Sequence, residues 1–261
     1  RRQRQMCIRD SLVGDQIDLD NIPFYGLAEV TVGGRSCVIS QTGFSGESGY
    51  EIYLRNATLY ADDMWDAVLE AGKKHNLMVI APAHLRRIQA GILSWGQDLD
   101  HEHNPFQCNL GYQVSLSGKG EWAKKGDYVG KQALEKMKAD LKDGHKPYKL
   151  QLVGFEIGGK PIDEYAPDFW LVSPGDGGDP CGFITSPWYH PEKGKNIAMG
   201  YIPFDGTLNA NGFPKWELGK KFKVHLPDIY ADEPGVPVDA VTVDVPFTES
   251  FNANTREVVK G

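Results

Sequence analysis

Near Tyr148 the chain changes how it spaces its apolar residues, and that change limits the folds open to it. Upstream, Leu59, Met64, Trp65, Val68, Leu69 and Ala71 recur at three- and four-residue steps and predict a helix over residues 59–76. Downstream, short β-like runs at 149–155, 169–172, 183–185, 198–202, 221–225 and 238–245 alternate with glycine, proline and aspartate. Regular short strands between turns predict a small all-β barrel or sandwich. The polar stretch K-D-G-H-K-P-Y at 142–148 is the natural join. We therefore expect an α+β chain with residues 1–11 foreign or unstructured, 12–145 a mixed segment, and 146–261 a C-terminal antiparallel β-barrel domain.

Within the mixed segment, Val30, Val32, Val38 and Ile39 flank the turn dipeptide Gly33-Gly34, which signals a hairpin over residues 24–40. A glycine-rich loop, T-G-F-S-G-E-S-G at 42–49, leads into the strand Y-E-I-Y-L at 50–54. In a strand, Glu51 and Tyr53 share one face, while Tyr50, Ile52 and Leu54 share the other and face the core. Residues 77–80 read as a short apolar strand. Pro82 opens a further helix, expected to run to about Ser94 with Gly96 as its C-cap, leaving Asp98 and Asp100 as solvated acids. Adjacent Arg86 and Arg87 cannot share a helix face, so one of them is expected to turn inward or into an ion pair. A charged surface helix is expected over residues 132–141.

Net charge is -7, and the only arginine cluster is Arg1, Arg2, Arg4 and Arg9. No basic face is available for nucleic acid, so no such partner is expected. The arginine-rich start lacks the apolar stretch of a secretory signal and is set aside as foreign to the fold. Because position 1 is not Met, the natural N-terminal half is expected to be missing. The 4 cysteines, Cys7, Cys37, Cys108 and Cys181, are scattered without a C-x-x-C pair, which suits a reducing, cytoplasmic setting. No apolar run approaches the ~18 residues of a membrane span, and no membrane association is expected.

Several chemistries fail on pattern. His101-x-His103 ahead of Cys108 falls short of a zinc ligand set. The G-D-G-G-D run at 175–179 lacks EF-hand spacing, so no metal is expected. Ser117 to Gly120 lacks the phosphate-loop pattern, and no G-x-S-x-G elbow is present. The segment with most promise is Thr42 to Tyr53. Glycines 43, 46 and 49 allow tight turns and close backbone approach. A carboxylate beside such a loop can accept two parallel N–H donors from a planar heterocycle. The same residues also read as a hairpin turn followed by a surface glutamate, and spacing alone leaves both open.

Taken together, T-G-F-S-G-E-S-G-Y-E-I-Y, R-I-Q-A-G-I-L-S-W-G-Q-D-L-D, N-P-F-Q-C-N-L-G-Y, D-Y-V-G-K-Q-A-L, G-F-I-T-S and K-N-I-A-M-G-Y-I-P resemble, in order, blocks of the glycine-cleavage T-protein family, over roughly residues 22–247. The resemblance implies a folate-binding, cloverleaf-type fold, here partial, followed by the β-barrel. It also implies one-carbon transfer to or from tetrahydrofolate. It assigns Glu51 to the pterin, with Tyr53, Gly43, Phe44 and Trp95 as further cofactor-side residues.

Departures from the family pattern point to its dimethylsulfoniopropionate demethylase-like branch. Aligning on Gln89-Ala90-Gly91 puts Ala83 where aminomethyltransferases carry a folate-contacting arginine, and Pro82, Trp65 to Lys73 and Asn104 to Cys108 resemble that branch. The expectation is methyl transfer from a small sulfonium or N-methyl donor, with Trp188 and Tyr189 as substrate-side aromatics. Aminomethyl transfer, with a lipoyl carrier protein as partner, is the alternative, and a homodimer is possible. Catalytic residues are expected in the missing N-terminal half. A non-catalytic folate-binding module is a third reading, although Trp122 to Lys131 lacks the cysteine such relatives carry.

Overall fold

The computed structural model describes residues 12–16, 22–114, 116 and 126–248. The arginine-rich start and the stretch from Ser117 to Lys125 lie outside them. The described residues fall into two compact units, one ending at Arg86 and the other spanning Arg87–Thr248.

In the first unit, β1 (Leu27–Val32), β2 (Arg35–Ser40) and β3 (Glu51–Leu54) form an antiparallel sheet in that order. The hairpin pairs Val32 with Arg35 around Gly33 and Gly34, whose φ angles of 56° and 78° are what a two-residue primed turn requires. Val30, Val32, Cys37 and Ile39 bury one face of the sheet with Met64 and Val68 of α1 (Ala57–Lys73). Tyr50, Ile52 and Leu54 pack against that core, as alternation predicted.

Two expectations need correction. Residues 77–80 form no strand. The helix α1 closes through Asn76 at φ 53°, with the Leu77 amide donating to the Gly72 carbonyl at 3.1 Å. Leu77 fills the space where a Gly72 side chain would stand. The apolar run is thus spent on a helix-closing contact, and Met78, Val79 and Ile80 are exposed. The next helix is also short. α2 (His84–Gln89) stops because Gly91 adopts φ 68°, with the Ile92 amide bonded to the Arg87 carbonyl and the Gly91 amide to the Ile88 carbonyl. That closure comes five residues before Gly96.

In the second unit, β4 (Leu150–Ile157), β5 (Trp170–Pro174), β6 (Gly182–His190), β7 (Lys195–Pro203), β8 (Lys221–Val224) and β9 (Val238–Val243) close an antiparallel barrel in the order β4-β7-β6-β5-β8-β9. Each arises from one of the β-like runs in the sequence. Phe155, Ile157, Val172, Ile184, Ala198, Phe222 and Val224 fill its interior. The helix α3 (Lys131–Lys142) is anchored by Leu141, buried with Phe106 and Phe204.

Contacts group residues 87–145 with the barrel strands. The physical reason is hydrogen bonding to the barrel. Buried Gln151 of β4 donates to the Gln107 carbonyl and to Asn109 Oδ1, and Asn109 donates back to the Leu152 carbonyl at 2.8 Å. The β-barrel strands nonetheless begin where the composition changes.

Candidate functional site

Glu51 opens β3 and pairs in register with Ser40 of β2. Its half-buried carboxylate sits at the end of a hydroxyl chain. Ser40 Oγ and Thr42 Oγ1 lie 2.6 Å apart, and Thr42 Oγ1 makes a short hydrogen bond to Glu51 Oε2. The Thr42 proton is committed to the carboxylate, so Ser40 must donate to Thr42. Tyr53, two residues along the same strand face, donates its phenol to Oε2 at 3.0 Å. Both donors therefore fall on one oxygen. Among the described residues, Oε1 has no hydrogen-bond partner and the carboxylate has no cation beside it.

The other loop residues divide. Gly46 is buried with φ 70°, a conformation that favours glycine. Gly43 is exposed, without a positive φ, and a Cβ added there would meet nothing within 4 Å. Gly49 likewise has room for a side chain, so of the three glycines only Gly46 is required by the backbone. Phe44 and Tyr53 present their rings to solvent at 52% and 55% exposure.

The remaining candidates belong to the second unit. Trp95 is 62% exposed, with its ring edge-on to His101 at 4.9 Å. Trp188 and Tyr189 are half-buried on β6, paired with Ile197 and Asn196 of β7, and the Tyr189 amide donates to the Ile162 carbonyl at 2.7 Å. They are thus built into a barrel hairpin.

Beside Trp95 stands a network that spacing did not reveal. Asp98, expected to be solvated, is 1% exposed. Arg87, also 1% exposed, donates to its Oδ2 at 2.7 Å and to Ser186 Oγ at the same distance, so the inward arginine of the pair is Arg87. The Ser94 amide reaches Oδ2 at 2.8 Å, while the Thr185 and Ser186 hydroxyls take Oδ1. Three donors beside the guanidinium's own bond leave this carboxylate saturated. Tyr201 donates to the Asp98 carbonyl at 2.6 Å and lies 3.4 Å from Cys108 Sγ; burial raises both the Tyr201 and Cys108 pKa. His103 Nδ1 bonds Asp100 at 2.7 Å, so His103 and Cys108 are engaged with separate partners.

The sequence signal for Thr42 is its place at the start of the glycine-rich loop, two residues after Ser40. For Asp98 no local signal exists, because its partners Thr185 and Ser186 are almost ninety residues away.

The GCVT N-terminal domain family matches residues 7–118. The aminomethyltransferase of Halothermothrix orenii is 31% identical over 194 residues, 72% of this chain and 48% of that protein. The aminomethyltransferase of Alkaliphilus oremlandii is 33% identical over 205 residues, 76% of this chain and 48% of that protein. The crystal structure of the glycine cleavage system aminomethyltransferase T from Bartonella henselae shares the fold, with a TM-score of 0.63 at 19% identity over 94% of this chain and 57% of that one. The chain belongs to the glycine-cleavage T-protein family. It spans about half the length of the curated relatives it matches.

Proposed function

We propose that the protein serves tetrahydrofolate-dependent one-carbon transfer, with Glu51 holding the amino-pyrimidinone edge of the folate. One observation carries this reading: a carboxylate fixed by two hydroxyls on Oε2 keeps Oε1 open and has no cationic partner among the described residues. A carboxylate acceptor held in place on a strand suits a planar N–H donor edge. A bidentate grip uses both oxygens, so Tyr53 or Thr42 turns aside from Oε2 when the ring arrives. Exposed Tyr53 is the freer of the two. When bound, the folate supplies the nitrogen that takes the one-carbon unit.

Two donors are in play. Ala83, standing where aminomethyltransferases have a folate-contacting arginine, favours a methyl donor, a small sulfonium or N-methyl compound. Such a cation gains about 0.5–2 kcal/mol from an aromatic face, for which Trp95, Trp188 and Tyr189 are the candidates. The relatives named aminomethyltransferase favour an aminomethyl donor instead, with a lipoyl carrier as partner.

Incubating the protein with tetrahydrofolate and each donor class separates these readings. Formation of 5-methyltetrahydrofolate supports the first, and a 5,10-methylene product the second. Folate binding without either product leaves a binding module. In calorimetry, Glu51→Gln should weaken folate binding about tenfold or more, the order expected when a charged hydrogen-bond acceptor becomes neutral. Unchanged affinity would reject Glu51 as the pterin ligand.

A further inference from the structure

The barrel has a feature that the folate reading does not use. Where β5 and β7 leave the barrel and β6 and β8 enter it, a cavity of about 520 Å³ opens at one mouth. Ligand cavities run to about 300–1,000 Å³, and barrel mouths are among their usual places.

The walls of this cavity are apolar and its charge is one-sided. Pro174 at the end of β5, Pro203 at the end of β7 and the buried ring of Phe222 supply the apolar surface. Lys220 and Lys221 supply two ammonium groups against one acid, Asp176. Among the described residues neither lysine forms an ion pair with a carboxylate. The Lys220 Nζ lies 5.7 Å from the centre of the Phe222 ring, which sets a cation above the apolar floor. The Cys181 thiol shares this space; burial raises its pKa, while the nearby Lys220 charge acts in the opposite direction.

The rim is held in shape. The Gly175 amide donates to the Lys221 carbonyl at 3.1 Å, and a Cβ on Gly175 would come within 2.7 Å of Lys221 Cβ. Glycine at 175 thus lets the two strand ends approach and keeps Lys221 at the mouth.

We propose that this barrel mouth binds a small organic anion, with Lys220 and Lys221 taking a carboxylate-type head group and Phe222, Pro174 and Pro203 taking an apolar body. Lysines present point charges suited to an anionic head, and the proline and aromatic walls give the body apolar surface to cover.

Benzoate is the probe that carries both parts, inorganic phosphate carries the head alone, and benzamide the body alone. The readout is the rate at which N-ethylmaleimide alkylates Cys181, followed by peptide mass spectrometry, with buried Cys37 and Cys108 as internal references. Saturating benzoate should slow alkylation of Cys181 severalfold, whereas phosphate and benzamide should do so far less. The double variant Lys220→Glu/Lys221→Glu alters two exposed side chains and should remove the protection; Lys220→Arg/Lys221→Arg should keep it. Comparing rates with and without probe within each variant cancels the effect of Lys220 on the thiol itself.

Equal protection by benzamide or by phosphate, or protection that survives the double glutamate variant, overturns the proposal. If Cys181 resists alkylation in the free protein, fluorescence of anilinonaphthalene sulfonate gives a second reading. Benzoate should displace that dye from the wild type, and the glutamate variant should bind it about tenfold more weakly, as expected for loss of charge-assisted contacts. No displacement by benzoate, or dye binding unchanged in the variant, likewise overturns it.

Discussion

Two carboxylates, one in each unit, show how opposite environments can be built around the same group. Asp98 is sealed, with a buried guanidinium, a backbone amide and two hydroxyls saturating its oxygens. Glu51 is half-buried, held on one oxygen by two hydroxyls, with no cation near it among the described residues. A saturated buried ion pair has nothing left to offer a ligand and serves the fold. A fixed carboxylate with a spare oxygen is available for recognition. The contrast separates a carboxylate whose oxygens are all spent on the fold from one that keeps an oxygen open.

The sharpest way to break this contrast is Asp98→Ala. It removes the carboxylate of a buried ion pair, and we expect a loss of about 3–5 kcal/mol, measured by urea denaturation. A loss under about 1 kcal/mol, the range of an exposed pair, would show that water reaches the site. Thr185→Val removes one donor from the same carboxylate and should cost about 1.5–3 kcal/mol in the same assay.

The loop before Glu51 offers a paired test. Gly46→Ala forces a side chain into φ 70° and should cost about 1 kcal/mol in melting experiments, while Gly43→Ala should be close to neutral. Equal effects would mean that both glycines serve the loop in the same way. Glu51→Gln keeps an acceptor for Thr42 and Tyr53 and should shift stability by no more than about 0.5 kcal/mol. A large loss would move Glu51 into the structural class beside Asp98.

The smallest effect concerns exposed Asp100, whose pKa is held below its usual value first by the Glu102 amide and then by His103. A depressed folded pKa stabilises the protein above the ordinary carboxylate pKa, and this contribution is lost as pH falls through the folded value. Asp100→Asn should therefore lower stability slightly at neutral pH and leave it unchanged below the folded pKa, which flattens the acid limb of the stability–pH curve. Equal or greater stability of the variant at neutral pH would contradict that sign.

Much of the architecture was legible in the chain. Gly33-Gly34 between alternating valines specifies its hairpin because both residues need positive φ, and six apolar runs between turn residues become six barrel strands. The face of β3 that carries Glu51 and Tyr53 follows from strand alternation alone. The misread elements share one cause. Met78 to Ile80 has strand composition, yet hydrogen bonding at the end of α1 draws in Leu77 and leaves the rest outside any sheet. The helix expected from Pro82 to about Ser94 ends at Gln89, because Gly91 closes it there.

The sequence by itself determined where the barrel strands and the Gly33-Gly34 turn fall, which face of β3 carries Glu51 and Tyr53, and the ordered motifs of the T-protein family. These depend on backbone preferences and side-chain alternation within a few residues. Only the tertiary structure decided that Asp98 is buried, that Arg87 rather than Arg86 turns inward, and that Thr42 joins Tyr53 on one oxygen of Glu51. Hydrogen bonds and burial between residues distant in sequence have no local signature, because they exist only once the chain has folded.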